Sequence, residues 1–390
     1  MDAGQFLTAL LAYKWTILFY AALIAVIYLF RRKFDWQAKF IGLYRTKVGL
    51  KLMDVMGRKK RLFAALGYIG VVVGFAGMLF ITVMLVKGLY DLLFVPGAPP
   101  VISPVIPGAP VLGTGIEVPL IIGWLALFAV IVVHEFSHGV VSRAHGIPVK
   151  SSGLMVFGPL GGAFVEPDED TLKRKSRMKQ LSVFAAGPFS NVILALVVLL
   201  LLNFALTPLL GSFIATNGVV FGTVQPGYPA AAAGVQPNVV YDRLGNRTVN
   251  TTDDFLAGLQ GLKPNDTVEL GSSSTGQRAL IVATTSPSDP AKGYLGVVLT
   301  DNLRDPSLGW LYGAVSWVTQ LFLWIFLLSL GIGLANLLPL GPVDGGRMLR
   351  VVTEKLYGAK KGASVWARIS VAVIVVIVIL LLVPIIKAFL

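Results

Sequence analysis

Cysteine is absent from this chain of 390 residues. That excludes disulfides, thiolate metal ligands and a cysteine nucleophile. Charge is sparse too: Asp, Glu, Lys and Arg make up 14% of the residues. A soluble globular domain carries roughly 25%. With 55% hydrophobic residues, a wholly soluble fold is excluded. Histidine occurs only three times, so any metal site must draw on these three, Asp and Glu. The net charge of +13 could point to nucleic acid, but its placement between apolar runs argues for membrane topology instead.

Six segments reach the roughly 17–25 residues that a bilayer core requires. They are Lys14–Phe30, Leu62–Val86, Val118–Val141, Leu181–Leu206, Trp310–Leu340 and Ile369–Ile386. The first has no basic stretch before it and Arg31-Arg32-Lys33 after it, which reads as a retained anchor. Of the 33 Lys and Arg, 31–61 holds eleven, 142–180 holds seven and 345–368 holds six. The excess of positive charge marks those loops as cytoplasmic. Both termini and the stretch 207–309 then fall outside. The expected fold is a polytopic α-helical membrane protein of about six transmembrane helices with a small mostly-β soluble insert.

Its expected parts are five. Residues 1–117 form an N-terminal transmembrane hairpin and an external Pro/Gly-rich linker. Residues 118–206 form the first half of a membrane core, 207–303 the insert, 304–350 the second half of the core, and 351–390 a cytoplasmic loop and last helix. In the hairpin, Lys47–Arg61 interleaves basic residues with Leu50, Leu52, Met53, Val55 and Met56. It suits an anionic membrane surface or a solvated loop equally well. In 207–303, the runs Val219–Phe221, Thr267–Leu270 and Ala279–Val282 read as strands and Asp253–Leu262 as a short helix. Sequons start at Asn246, Asn250 and Asn265.

The chemistry is concentrated at His134-Glu135-Phe136-Ser137-His138, which ends the apolar run Val118–Val133. Helical residues four apart share a face, so both histidines can reach one metal ion. Glu135 points into the same arc, where it can act as general base on a water that the metal activates. Ionisable residues at membrane depth are functional by default. His134 lies about 24 Å below the outer end of its segment at helical rise, in the cytoplasmic third of the bilayer.

Several residues compete to be the third ligand. His145 lies roughly 10 Å further along the same helix. Glu166 and Glu169 follow the apolar, glycine-broken stretch 153–165, which suits short strands beside the site. There an extended substrate could pair with an edge strand. Asp344 follows Pro339 and Pro342, which break the fifth segment, and precedes Gly345-Gly346, which permit close approach. Its charge-derived depth matches that of His134, which favours it over the others. The competing reading of Asp344 is a helix N-cap.

HEFSH at 134–138, Gly187-Pro188-Phe189-Ser190-Asn191 in the fourth segment, and NLLPLGPVDGG at 336–346 occur in this order, with a soluble insert between the last two. In these features the chain resembles the site-2 protease family of intramembrane zinc metalloproteases. The resemblance spans about 118–350. It implies one Zn2+ held by His134, His138 and Asp344, with Glu135 as the catalytic acid–base. It implies that Asn336, Pro339 and Pro342 help to position substrate, and that Gly187 and Asn191 pack close to the site. Gly153, Gly161 and Gly162 are the expected substrate-pairing positions of the strand-like stretch. The insert looks like a PDZ module at Tyr228–Val235 and Tyr294–Val297, with Gln236-Pro237-Asn238 in place of the usual Gly-Asp. The expected partners are membrane-anchored protein substrates and the lipid bilayer, not nucleic acid, and the expected location is the cell membrane. The rival readings are a metal transporter and an inactive membrane scaffold.

Overall fold

The fold is that of a computed structural model, which describes residues 11–37, 41–96, 98, 100, 102–111, 116–287 and 289–389. It divides into two compact units. One comprises Met1–Leu202 with Gln320–Leu390, and the other is Asn203–Thr319.

The first unit is helical with one sheet. Its elements begin with α1 (Lys14–Leu29), β1 (Asp35–Gln37), β2 (Ile41–Thr46), α2 (Leu50–Gly57), α3 (Lys60–Phe94) and α4 (Leu120–Ala144). Next in the chain are β3 (Val149–Phe157), β4 (Leu160–Pro167) and α5 (Arg177–Leu201). Beyond the insert come α6 (Gly309–Asn336), α7 (Asp344–Tyr357) and α8 (Ala359–Phe389).

Among the described residues, five helices are long and apolar enough to cross a membrane. They are α3, α4, α5 with its continuation to Ser212, α6 with the preceding turn, and α8. This makes the chain a multi-pass membrane protein. The first expected segment, Lys14–Phe30, is the apolar helix α1, shorter than these five at 16 residues. Residues 1–10, which precede the expected Lys14–Phe30 segment, lie outside the described residues. Parts of the 95–117 linker, at 97, 99, 101 and 112–115, lie outside them too. Its described part ties down α1: Tyr20 and Thr16 donate hydrogen bonds to the carbonyls of Pro107 (2.9 Å) and Gly108 (3.1 Å).

In hydrocarbon, helices associate through small residues that let backbones approach. α3 does so along Gly67, Gly70, Gly74 and Gly77. They lie against Ser182, Phe189, Met348 and Leu337, side chains from α5, α7 and the loop after α6. Val71, Met78, Leu181, Ala185, Leu337 and Met348 complete that core.

The sheet is antiparallel, in the order β1-β2-β3-β4. β3 is internal, with Gly153 opposite Arg45 on one side and Phe164 on the other. Among the described residues β4 pairs with β3 alone, and it runs beside α4. Gly161 lies against Trp124, and Val165 against Gly139. Thus the 153–165 stretch does form two strands, joined through Gly158 at positive φ. β1 and β2 enlarge the sheet from a region read as a basic loop.

The second unit is mostly β: β5 (Val219–Val224), β6 (Val240–Tyr241), β7 (Arg243–Leu244), β8 (Arg247–Thr248), β9 (Thr267–Gly271), β10 (Arg278–Val282), β11 (Thr284–Thr285), β12 (Gly293–Tyr294) and β13 (Val297–Thr300). Its sheets run β10-β9-β7-β8, β13-β5-β6 and β11-β12. A short helix at Thr252–Gly258 starts at a capping box, in which Thr251 and Asp254 satisfy each other's backbone N–H. Phe221, Tyr241, Phe255, Leu270 and Ile281 fill the interior.

Candidate metal centre

α4 carries His134, Glu135 and His138 on adjoining faces at its lower end. Both histidines are buried, 4% and 8% exposed. Asp344 is the first residue of α7, and Val343 is that helix's N-cap. The Asp344 carboxylate therefore turns inward instead of capping. Its Oδ2 lies 3.0 Å from His134 Nε2 and 3.2 Å from His138 Nε2, across more than two hundred residues of chain. The turn is possible because α7 opens on glycines. A Cβ on Gly345 would lie 2.3 Å from the Leu337 carbonyl oxygen, and one on Gly346 2.0 Å from that of Leu340.

The three donors lie within 4.8 Å of one another. Two imidazoles and a carboxylate are a donor set that zinc takes in hydrolases. Space for an ion is kept by Gly187 of α5. A Cβ there would sit 2.4 Å from His138 Nε2 and 2.5 Å from His134 Nε2, between the donors themselves. The residues fit a zinc ion on both counts.

The outer nitrogens are held as metal-ligating histidines require. His138 Nδ1 lies 2.7 Å from the Val183 carbonyl, which fixes the proton on Nδ1 and leaves Nε2 free to ligate. The Asn191 carboxamide lies 3.2 Å from His134 Nδ1. For His134 Nε2 to ligate, Nδ1 must donate and Asn191 must present its oxygen. Both partners come from α5, the helix that supplies Gly187. Glu135 Oε2 accepts a hydrogen bond from the Val165 N–H of β4 at 3.2 Å, so the carboxylate faces the open edge of the sheet.

The other ligand candidates are engaged elsewhere. His145 Nε2 is 2.6 Å from Ser182 Oγ. Its pKa is held below the ordinary imidazole value by burial, then by Lys179 and Lys175. Glu166 accepts from Ser151 at 2.6 Å and pairs with Arg45 at 3.2 Å, and these contacts hold its pKa low, Ser151 foremost. Glu169 pairs with Lys173 at 3.2 Å on the surface.

The expected substrate positions divide. Gly161 and Gly162 lie on β4, the edge strand. Gly153 does not share that edge. Its backbone is enclosed between β2 and β4, and an added Cβ would meet the Tyr44 carbonyl oxygen at 2.0 Å. Close strand packing, not an open pairing position, accounts for that glycine. Asn336 donates to the carbonyl of Ile332 one turn back at 3.0 Å, Pro339 is buried and Pro342 is exposed. Sequence reasoning missed Val165 as the partner of Glu135. Only its apolar place in a strand-like run hinted at it.

Comparison with known proteins agrees with this arrangement. The model of peptidase family M50 matches residues 122–380, more than half the chain. This chain belongs to peptidase family M50. The match covers α4, α5, the insert, α6 and α7, and therefore every residue of the centre. Zinc metalloprotease RasP of Oceanobacillus iheyensis is 24% identical over 242 residues, covering 50% of this chain and 55% of that one. Uncharacterized protein MJ0971 of Methanocaldococcus jannaschii is 27% identical over 324 residues, covering 81% of this chain and 78% of that one. Among solved structures, the PDZ domain of the SdrC-like protein from Listeria monocytogenes is similar at 18% identity and a TM-score of 0.20. It covers 22% of this chain and 88% of that domain. Membership of this family makes the chain a metalloprotease of the zinc-dependent site-2 type.

Proposed function

We propose that the chain hydrolyses peptide bonds within the transmembrane segments of membrane-anchored proteins, using one zinc ion per chain. The observation that carries this reading is the convergence of His134 and His138, on α4 of membrane length, with Asp344 of α7 beside Glu135. His134 and His138 would hold the ion through Nε2 and Asp344 through Oδ2. A bound zinc ion supplies Lewis acidity toward the scissile carbonyl and toward water.

Glu135 is the group that moves the proton. Its carboxylate takes a proton from the attacking water and returns it to the leaving amine nitrogen. Asn191 and the Val183 carbonyl hold the imidazoles in the ligating tautomer. A helical substrate hides its carbonyls in internal hydrogen bonds and must first open. β4 offers partners for the opened chain. Val165 N–H points away from β3 toward Glu135, and strand alternation puts the N–H groups of Ala163 and Gly161 on the same edge. An extended substrate paired there would lie along α4 beside the acid–base. With α1 counted as a sixth crossing, the loop charges orient the site toward the cytoplasm and the insert and both termini toward the outside. On that side the insert would admit trimmed substrates and hinder bulky ones.

A transport path would call for several metal-binding stations. Among the described residues, the His134, His138 and Asp344 group is the single metal-capable cluster. The test uses purified full-length protein with candidate membrane-anchored substrates in lipid vesicles. Glu135→Gln is nearly isosteric and cannot accept the proton, so it should retain zinc and lose cleavage. A zinc chelator should abolish wild-type cleavage. Wild-type turnover by Glu135→Gln would remove Glu135 from the mechanism, and turnover unaffected by chelation would remove zinc.

A further inference from the structure

α2 has two unlike faces. On one, Met53 and Gly57 are buried against α4. Met53 Sδ would lie 2.5 Å from a Cβ on Gly139, and a Cβ on Gly57 would lie 2.5 Å from Arg143 Cβ. Asp54 pairs with Arg143 at 2.8 Å, which neutralises the one acidic residue of the helix.

On the opposite face Leu52 and Val55 stand 55% and 57% exposed, and Val48 just before the helix is 77% exposed. At helical rotation Lys51 and Arg58 border this apolar strip. Lys47, Lys59, Lys60 and Arg61 extend the charge, and all six cations are exposed. Among the described residues no ion pair joins any of the six to a carboxylate, whereas Arg45 and Arg143 nearby are both paired.

The next helix in the chain fixes the position of α2. Only Arg58 and Lys59 separate it from α3, a 35-residue apolar helix of spanning length. A helix joined so closely to the end of a span lies where the bilayer meets water. There, an apolar strip flanked by lysine and arginine fits one chemistry, the acyl boundary and anionic headgroups of a phospholipid surface.

We propose that the outer face of α2, Leu52 and Val55 with Lys51, Arg58 and Lys59, is a docking site for anionic phospholipid. The helix thereby connects the membrane surface to α4 through the Met53–Gly139 contact. Leu52 and Val55 enter the headgroup–acyl boundary, and the three cations pair with lipid phosphates.

The absence of native cysteine makes the test direct. A Leu52→Cys chain carries one polarity-sensitive fluorophore, and a Val55→Cys chain serves if the first misfolds. The full-length protein is reconstituted in phosphatidylcholine vesicles with and without phosphatidylglycerol. Phosphatidylglycerol should shift the label's emission to the blue, and salt should weaken the shift through screening. Adding Lys51→Gln, Arg58→Gln and Lys59→Gln to the labelled chain should abolish it. Identical emission in both vesicle types would overturn the proposal. So would a blue shift that tracks protein density rather than lipid charge, since that would make a second copy the occupant.

Discussion

In the membrane core, buried polar side chains meet one another. His134, His138, Asn191 and Asp344 converge on one point from α4, α5 and α7. In the insert, the interior is Phe221, Tyr241, Phe255, Leu270 and Ile281, and the buried Ser272 is bonded locally to Ser274. The difference separates two kinds of constraint. A carboxylate and two imidazoles buried together are costly unless they serve one another or an ion. The insert's interior packs apolar groups, and its buried Tyr241 hydroxyl is satisfied by the Gln236 N–H and Gln277. Damage to the core should therefore appear in metal content, and damage to the insert in stability or selectivity.

The sharpest contrast is between two carboxylates within the core unit. Asp344→Ala removes a donor and should strip most of the zinc. Glu166→Ala, which removes contacts to Ser151 and Arg45, should leave zinc content at the wild-type level. Metal analysis of the two purified variants decides this, and the reverse result would move the third ligand to Glu166.

Gly187→Ala adds one methyl group between His134 Nε2 and His138 Nε2, where the proposed ion would sit. It should lower zinc content nearly as far as Asp344→Ala. Unchanged zinc in a folded Gly187→Ala protein would show that the ion sits elsewhere.

Replacing 212–300 with a short Gly/Ser linker should leave zinc content unchanged and alter substrate choice. The readout is cleavage of one substrate in two forms, with a folded external domain or trimmed near the membrane. Wild type should prefer the trimmed form, and the deletion should narrow that preference. An equal preference before and after would leave the insert without a filtering role.

The smallest expected effect is Thr251→Ala, which breaks the capping box of the insert's helix. It should cost about 1 kcal/mol of insert stability and no zinc. Thermal unfolding alongside metal analysis reads both.

How much of this was legible in the sequence differed by residue. His134 and His138 declare themselves because helical spacing puts them on one face before any tertiary contact forms. Asp344 was readable through its surroundings, since two prolines and two glycines announce a broken helix and a close approach. The strands at 149–167 showed as apolar residues broken by glycine. β1 and β2 did not. They are short, and their Arg and Lys neighbours give the stretch the look of a topogenic loop. The pairing of β2 with β3 is a long-range event that local pattern does not encode. The role of Val165 was hidden for a related reason: a backbone N–H leaves no mark on the side-chain sequence. α1 was legible as an apolar run, and the described helix covers 16 residues of it.

The proposed zinc ligands are His134, His138 and Asp344. X-ray absorption at the zinc edge on the full-length, zinc-loaded protein tests this assignment most directly, read for wild type and Asp344→Asn together. The wild-type shell should hold two imidazoles with a carboxylate oxygen, and the variant's shell should be changed or empty. A third imidazole, which only His145 could supply, or an identical shell in Asp344→Asn, would contradict the assignment.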